Sequence, residues 1–357
     1  NNSTSNQFLT YVTTSLPTIE NCSNGPGPLD DIISDTELEK AIKGLKNGKS
    51  CGPDMISNEM LKYGGQGLKE AVRHLFNLIL DAGEYPKQWR KSIITPIFKC
   101  GSRMDPTNYR GVAVSDSMGK LFSKLLNTRI SDYMHKNGLW RPDQNGFMSK
   151  MRTEDNIFIL HTIFQQLVKK EKKKVYTVFV DFRKFFDTIN RDLLKYKLVK
   201  YGITGKVYNI IKSAYSESEY CVKLKQGKTE YFKSNSGVKQ GCSLSPTLSN
   251  IFQNDLHEIF GSDCDPVKLG DLELNSLSWA DDLVLLSNSK SGVQNCLNKL
   301  HDYCVKWNIS VNVLKTKCMV FSNANQIART QEPLYYDGKE LEYVKCYKYL
   351  GIEIQNN

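Results

Sequence analysis

Three aspartates offer chemistry in this sequence. Asp281 and Asp282 are neighbours in SWADDLVLL (278–286), between an apolar approach and an apolar exit that read as strand, turn, strand. Asp181 lies near the end of VYTVFVDF (175–182), a nearly continuous apolar and β-prone run, as expected of a central strand covered on both faces. Taken singly, an aspartate ending a buried strand reads as a capping group, and a pair at a hairpin tip reads as a polar turn. Together they read differently. Adjacent carboxylates repel, and burying either is costly unless a cation neutralises it. Three carboxylates from two strands ending at one edge make an oxygen-rich site suited to Mg²⁺. Two such ions roughly 3.5–4 Å apart activate an attacking hydroxyl and stabilise a leaving pyrophosphate. Phosphoryl transfer asks the protein mainly for alignment and charge compensation.

The flanking sequence supplies elements that would position these groups. Ser34 and Glu37 have capping-box spacing ahead of a helix with Leu38, Ile42 and Leu45 on one face. A second amphipathic helix follows in GLKEAVRHLFNLILDAG, then a strand in KSIITPIFK (91–99). Two long helical patterns, SMGKLFSKLLNTRISDYM and TEDNIFILHTIFQQLVKK, lead to the basic run KKEKKK (169–174), which reads as a solvated helix end or a nucleic-acid contact. Beyond Asp181 come helices over 191–216, a hairpin around KQGK, the helix LSPTLSNIFQNDLHEIF, and a helix over 293–307 with short strands after it. The mixture reads as α+β.

The composition excludes several classes. The 357 residues carry a formal charge of +10, leaning towards a polyanionic partner, and 40% hydrophobic content, enough for a large core. Ten cysteines contain no CxxC pair and five histidines never fall beside them at ligand spacing, which argues against zinc and for reduced thiols in an intracellular protein. No apolar run approaches the ~20 residues of a membrane span, and no signal peptide opens the chain. A start at NNSTSNQ without methionine suggests a fragment or processed segment.

VFVDFRKFFDTI, GVKQGCSLSPTLSNIF and SWADDLVLLS, in this order, resemble the palm motifs of reverse transcriptases, above all those of non-LTR (LINE-type) retrotransposons. ITPIFKCGSRMDPTNYRGVAVSDSMGKLFSKLLNTRI and QNGFMSKMRTEDNIFIL resemble that group's fingers, while NVLKTKCMVF and YKYLGIEI resemble its last two palm motifs. The likeness covers roughly 79 to 354, with a weaker match to GLKNGKSCGPDMISNEMLK before it.

It implies a right-hand polymerase fold, α+β, with fingers, a palm built on a small antiparallel sheet with packed helices, and no thumb in this chain. Residues 1–30 would be a flexible leader or linker, 31–78 an N-terminal extension of the fingers, and 79–354 the polymerase domain. Fingers would span about 79–174 and palm about 175–354, with parts of 190–240 shared with the fingers. Asp181, Asp281 and Asp282 match the catalytic aspartates, Asp281 being the firmer metal ligand of the pair, with the Phe182 carbonyl as a further ligand. Two Mg²⁺ ions, replaceable by Mn²⁺, would be the cofactors.

Phe186 matches the bulky residue that excludes a ribose 2′-hydroxyl, and Gln240 with Gly241 the residues against the incoming nucleotide. Lys99 and Arg110 match positions that hold the triphosphate. Lys315 or Lys317 matches a lysine that protonates pyrophosphate, and Tyr349, Leu350 and Gly351 a primer-gripping hairpin that Trp279 would adjoin. Two residues depart from the pattern. Trp279 stands where tyrosine, phenylalanine or another modest residue is usual, and Phe185 replaces a small one.

The implied activity is RNA-directed DNA polymerisation, with an RNA template, a DNA primer and dNTPs as partners, inside the cell in nucleus or cytoplasm. A palm-type RNA-dependent RNA polymerase, an intron maturase, and a domesticated non-catalytic nucleic-acid-binding protein are the alternatives.

Overall fold

The computed structural model describes residues 2–22, 25–322 and 332–356. The chain divides into two compact units, one of Asn1–Leu9, Trp140–Thr188 and Gln253–Asn357, the other of Thr10–Leu139 and Ile189–Phe252.

The unit that carries the aspartates is built on a five-stranded sheet. Its strands run in the order Glu342–Tyr343, Lys317–Phe321, Val175–Val180, Asp282–Ser287 and Ser276–Trp279. Val175–Val180 is central because it is apolar on both faces, with four of its last residues fully buried. Alternation sends Val175 and Phe179 to one face, where Leu160, Ile163, Leu167, Leu277, Val284, Leu286, Met319 and Phe321 complete a single core. Helix Thr153–Ile163, continued by the π-helical turn Phe164–Lys170, covers that core. Against the sheet also packs helix Lys290–Trp307, which buries Val293, Cys296, Leu297 and Leu300 at helical spacing; Ser289 accepts from the Gly292 N–H to cap its start.

In the other unit, strand Lys91–Phe98 pairs antiparallel with Tyr109–Ser115 and parallel with Glu219–Leu224. Around it lie helices Asp35–Lys43, Gly65–Ala82, Ser117–Lys136, Arg191–Lys200 and Gly205–Ser216. Phe76, Tyr85, Trp89 and Phe122 form an edge-to-face and tilted aromatic cluster with centroids 5.0–6.4 Å apart. Ser34 accepts from the Glu37 N–H at 3.2 Å, as the capping spacing indicates.

Three stretches differ from the sequence expectation. Asn2–Cys22, expected as a leader, is a helix that buries Val12 and Leu16 despite Pro17. The helix expected over 244–260 ends at Gln253 and resumes as a 3₁₀ turn, Leu256–Ile259. TEDNIFILHTIFQQLVKK is not α-helical throughout, since its last seven residues widen into the π turn. Among the described residues, no helix is long and apolar enough to cross a membrane.

Candidate active site

Strands Ser276–Trp279 and Asp282–Ser287 form a hairpin in which Trp279 faces Asp282 and only Ala280 and Asp281 make the loop. A two-residue connection is the tightest an antiparallel pair allows, and it generally needs a left-handed residue to match the strand twist. Here Ala280 supplies it, with φ 56°.

The same hairpin pairs through its second strand with the central strand, Leu283 facing Val180. One further step of that antiparallel register sets Asp181 beside Asp282, with Asp281 next in the chain. Asp181 is anchored by its backbone, its N–H donating to Thr316 Oγ1 at 3.2 Å and its carbonyl accepting from the Asn312 N–H at 2.7 Å. Phe182 bridges Val311, and the Arg183 N–H donates to the Ser310 carbonyl, so the backbone after Asp181 is fixed as well.

The carboxylates feel one another. The Asp282 pKa is pushed up to about 6, first by burial against the sheet end and then by the charges of Asp281 and Asp181. By surface area Asp282 remains exposed. Both statements hold for a carboxyl crowded by protein on one side and open to solvent on the other. Tyr347, stacked on Phe179 at 4.3 Å, has its phenol pushed up to about 12 by burial and then by Asp282 and Asp181. The strand that holds Tyr347, Cys346–Tyr349, therefore lies within the field of the aspartates.

A divalent cation suits this donor set, because the ligands are all oxygen and crowded like charges favour a bound positive ion. Among the described residues, no three His, Cys, Asp or Glu side chains are gathered closely enough to hold a metal ion outright.

The other residues singled out by sequence fall into two groups. In the unit of the aspartates, Phe186 is half-buried, its ring 6.1 Å from Phe185 and 6.3 Å from Phe147, both edge-on. Phe185 is a core residue, 2% exposed and tilted against Phe182. Lys317 donates to Glu342 and to the Leu314 carbonyl, whereas the Lys315 ammonium is exposed, with no partner among the described residues. Tyr349 is buried in the core rather than presented outward, leaving Leu350 and Gly351 (φ 46° and 90°) as the loop of the hairpin Cys346–Tyr349 and Ile352–Gln355. Trp279 ends its strand, partly exposed.

In the other unit, Lys99 and Arg110 lie at the same end of a hairpin, where Ile97 faces Arg110 and the Lys99 N–H donates to the Asn108 carbonyl. The Gln240 carbonyl accepts from the Ala113 N–H of that hairpin at 2.8 Å. Gly241 follows with φ 108°, and a Cβ there would stand 2.6 Å from the Ala113 oxygen. Only glycine fits.

Sequence reading missed a set of buried amides beneath the hairpin that carries Asp281 and Asp282. Gln144, Asn145, Asn156 and Gln253 are each at most 3% exposed. Asn145 donates to Asn156 Oδ1, and Asn156 Nδ2 lies within 3.1 Å of both the Ser278 carbonyl and the Tyr349 hydroxyl. The only signal was a Gln-Asn-Gly triplet, which reads equally well as a loop. His257 backs the same strand, its ring nitrogens facing Ser276 and Ser278, and burial followed by the Arg141 charge holds its pKa down at about 4.

Residues 97–354 match the family described as reverse transcriptase (RNA-dependent DNA polymerase). The chain belongs to that family. Curated relatives include the RNA-directed DNA polymerase from mobile element jockey (25% identical) and the probable RNA-directed DNA polymerase from transposon BS (28%), both of Drosophila melanogaster and each aligned over 89% of this chain. The Pol polyprotein of the retrotransposable element R2DM from the same fly is 25% identical over 89% of the chain. The resemblance to non-LTR elements read from the motifs is borne out. This reverse transcriptase chain spans about a third of those relatives, 34%, 35% and 30% of their lengths. Among solved structures, apo telomerase from Candida tropicalis, truncated from its C-terminal domain, matches with a TM-score of 0.52 at 16% identity. That match covers 76% of this chain and 54% of the other. At that identity the likeness establishes the fold alone, an α+β polymerase fold of fingers and palm.

Proposed function

We propose that this chain is the fingers-and-palm part of the RNA-directed DNA polymerase of a non-LTR retrotransposon, extending a DNA primer along an RNA template with dNTPs. The observation that carries this reading is the register that sets Asp181 beside Asp282, with Asp281 adjacent, in a chain of the reverse transcriptase family. An intracellular site of action, in nucleus or cytoplasm, goes with those substrates.

Asp181, Asp281, Asp282 and the Phe182 carbonyl would hold two divalent ions, Mg²⁺ or Mn²⁺. Bound there, such ions lower the pKa of the primer 3′-hydroxyl and compensate the charge on the departing pyrophosphate. The 3′-oxygen forms its bond to the α-phosphorus as the α–β phosphoanhydride bond breaks, and the hydroxyl proton passes to solvent. The rigid strand ends keep the carboxylates aligned, which is most of what phosphoryl transfer asks of a protein. Lys99, Arg110, Gln240 and Gly241 take their nucleotide-binding roles from the motif match, as Trp279, Tyr349, Leu350 and Gly351 take theirs at the primer.

Between the two candidate acids, Lys315 is the better placed to protonate pyrophosphate, since Lys317 is committed to Glu342. A positioned general acid contributes at least about 100-fold. Lys315→Ala is accordingly expected to slow single-turnover extension by about that factor, and Lys317→Ala only a few-fold. Rapid-quench kinetics of both variants measure the difference; equal losses would remove Lys315 from this role.

Phe186 gives the test of substrate class. Shaving a pocket by a methylene or more is worth roughly 10- to 200-fold in discrimination. Wild type should prefer dNTP over NTP on an RNA-templated primer, and Phe186→Val should narrow that preference by roughly 10-fold or more. A wild-type preference for ribonucleotides would instead indicate an RNA polymerase.

A further inference from the structure

Ala280 is a poor residue for its place. Its φ of 56° lies where a Cβ crowds the backbone, and glycine is the usual choice in such a two-residue loop. Yet Ala280 immediately precedes Asp281, so whatever holds its peptide groups also aims the carboxylates. Two buried glutamine side chains hold them. Gln144 Oε1 accepts from the Ala280 N–H at 2.9 Å, and Gln144 Nε2 donates to the Ala280 carbonyl at 3.0 Å. Gln253 Nε2 donates to the same carbonyl at 2.7 Å, using its second lone pair. Gln144 is itself steadied. Its Oε1 also takes the Gly146 N–H at 2.8 Å, and the flanking backbone is laced to the hairpin by Ser278 N–H to the Asp143 carbonyl and Asn145 N–H to the Ser278 carbonyl.

We propose that Gln144, assisted by Gln253, is a positioning residue for the catalytic hairpin: its side-chain amide clamps both peptide groups of Ala280 and so fixes Asp281 and Asp282 on the end of the sheet. The inference rests on the reading of this hairpin as catalytic. Neither glutamine touches substrate; each acts through Ala280. Only an amide does this work, because the loop presents a donor and an acceptor to one side chain. A carboxylate at 144 would meet the Ala280 oxygen with a second acceptor and add a fourth negative charge beside three. A methionine would leave the Ala280 and Gly146 N–H groups without their acceptor in a buried site and the Ala280 carbonyl to Gln253 alone.

The test uses Gln144→Met, Gln253→Met and the double variant Gln144→Met/Ala280→Gly in the full chain. Hydrogen–deuterium exchange of the Trp279–Asp282 segment, measured without metal or nucleic acid, should quicken at least tenfold in Gln144→Met and less in Gln253→Met. In single-turnover extension on an RNA template, kcat should fall about 100-fold for Gln144→Met and about 10-fold for Gln253→Met, with the dNTP KM changed less than twofold. Ala280→Gly should recover part of the loss, because glycine accepts the left-handed turn without a clamp. Unchanged exchange and kcat in Gln144→Met would overturn the proposal, as would a lowered Tm with kcat of the folded protein intact. If Gln144→Met does not fold, Gln253→Met decides by the same two readouts. Wild type without polymerase activity, but with exchange that quickens in the variants, would refute the catalytic reading of the hairpin and leave the clamp itself standing.

Discussion

Asp281→Asn will leave this protein folded and able to bind a primer–template, yet slow nucleotide addition by at least about 1000-fold, some 4 kcal/mol of transition-state stabilisation. Asparagine matches aspartate in size, so the two-residue loop and its hydrogen bonds survive. What disappears is one formal charge from the carboxylates proposed to hold the metal ions. Removing it also relieves Asp282, whose pKa stands near 6 partly because Asp281 is beside it. The folded state should therefore keep its stability or gain a little, which thermal unfolding reports. Loss of activity with undiminished stability separates a catalytic carboxylate from a structural one. If extension persists within tenfold of wild type, Asp281 is no metal ligand.

Gly146→Ala should also have a large effect, without altering any group that touches substrate. A Cβ at position 146 would stand 1.9 Å from the Ala280 nitrogen and 2.7 Å from the Trp279 carbonyl carbon, both backbone atoms of the hairpin that carries Asp281 and Asp282. Side-chain give cannot relieve such a contact, so the hairpin must move by about 1 Å, a displacement that can cost about 100-fold in rate. Overpacking of this kind also destabilises by about 1–3 kcal/mol. The expected result is a kcat lowered about 100-fold with a reduced Tm. Gly67→Ala is the control, since a methyl there meets nothing within 4 Å. Activity in Gly146→Ala equal to that of the control would show that the hairpin tip tolerates displacement and that its placement is not what limits the rate.

The strands that carry the aspartates were legible because their burial is local and periodic. VYTVFVDF is nearly all apolar up to Asp181, and the apolar–DD–apolar pattern permits little besides a hairpin. The fold class followed from ordered motifs. The first helix was hidden because Thr10, Thr13, Thr14 and Thr18 are exposed along it and Pro17 lies within it, leaving Val12 and Leu16 too sparse to register as a stripe. The amide clamp was invisible for another reason. Gln144 binds a peptide group 136 residues away, and a glutamine buried for its hydrogen bonds has the same one-letter code as one on a loop. Likewise, the different surroundings of Lys315 and Lys317 appear only in the structure, because the partner of Lys317 is a glutamate 25 residues further along.

The most direct measurement is single-nucleotide incorporation onto a DNA primer annealed to an RNA template, with Mg²⁺ and one complementary dNTP, for wild type beside Asp181→Asn. The account predicts a primer longer by one nucleotide with wild type, none with Asp181→Asn, and equal binding of the primer–template by both. Equal extension by the two proteins, or none by a wild type that binds the duplex, would contradict it.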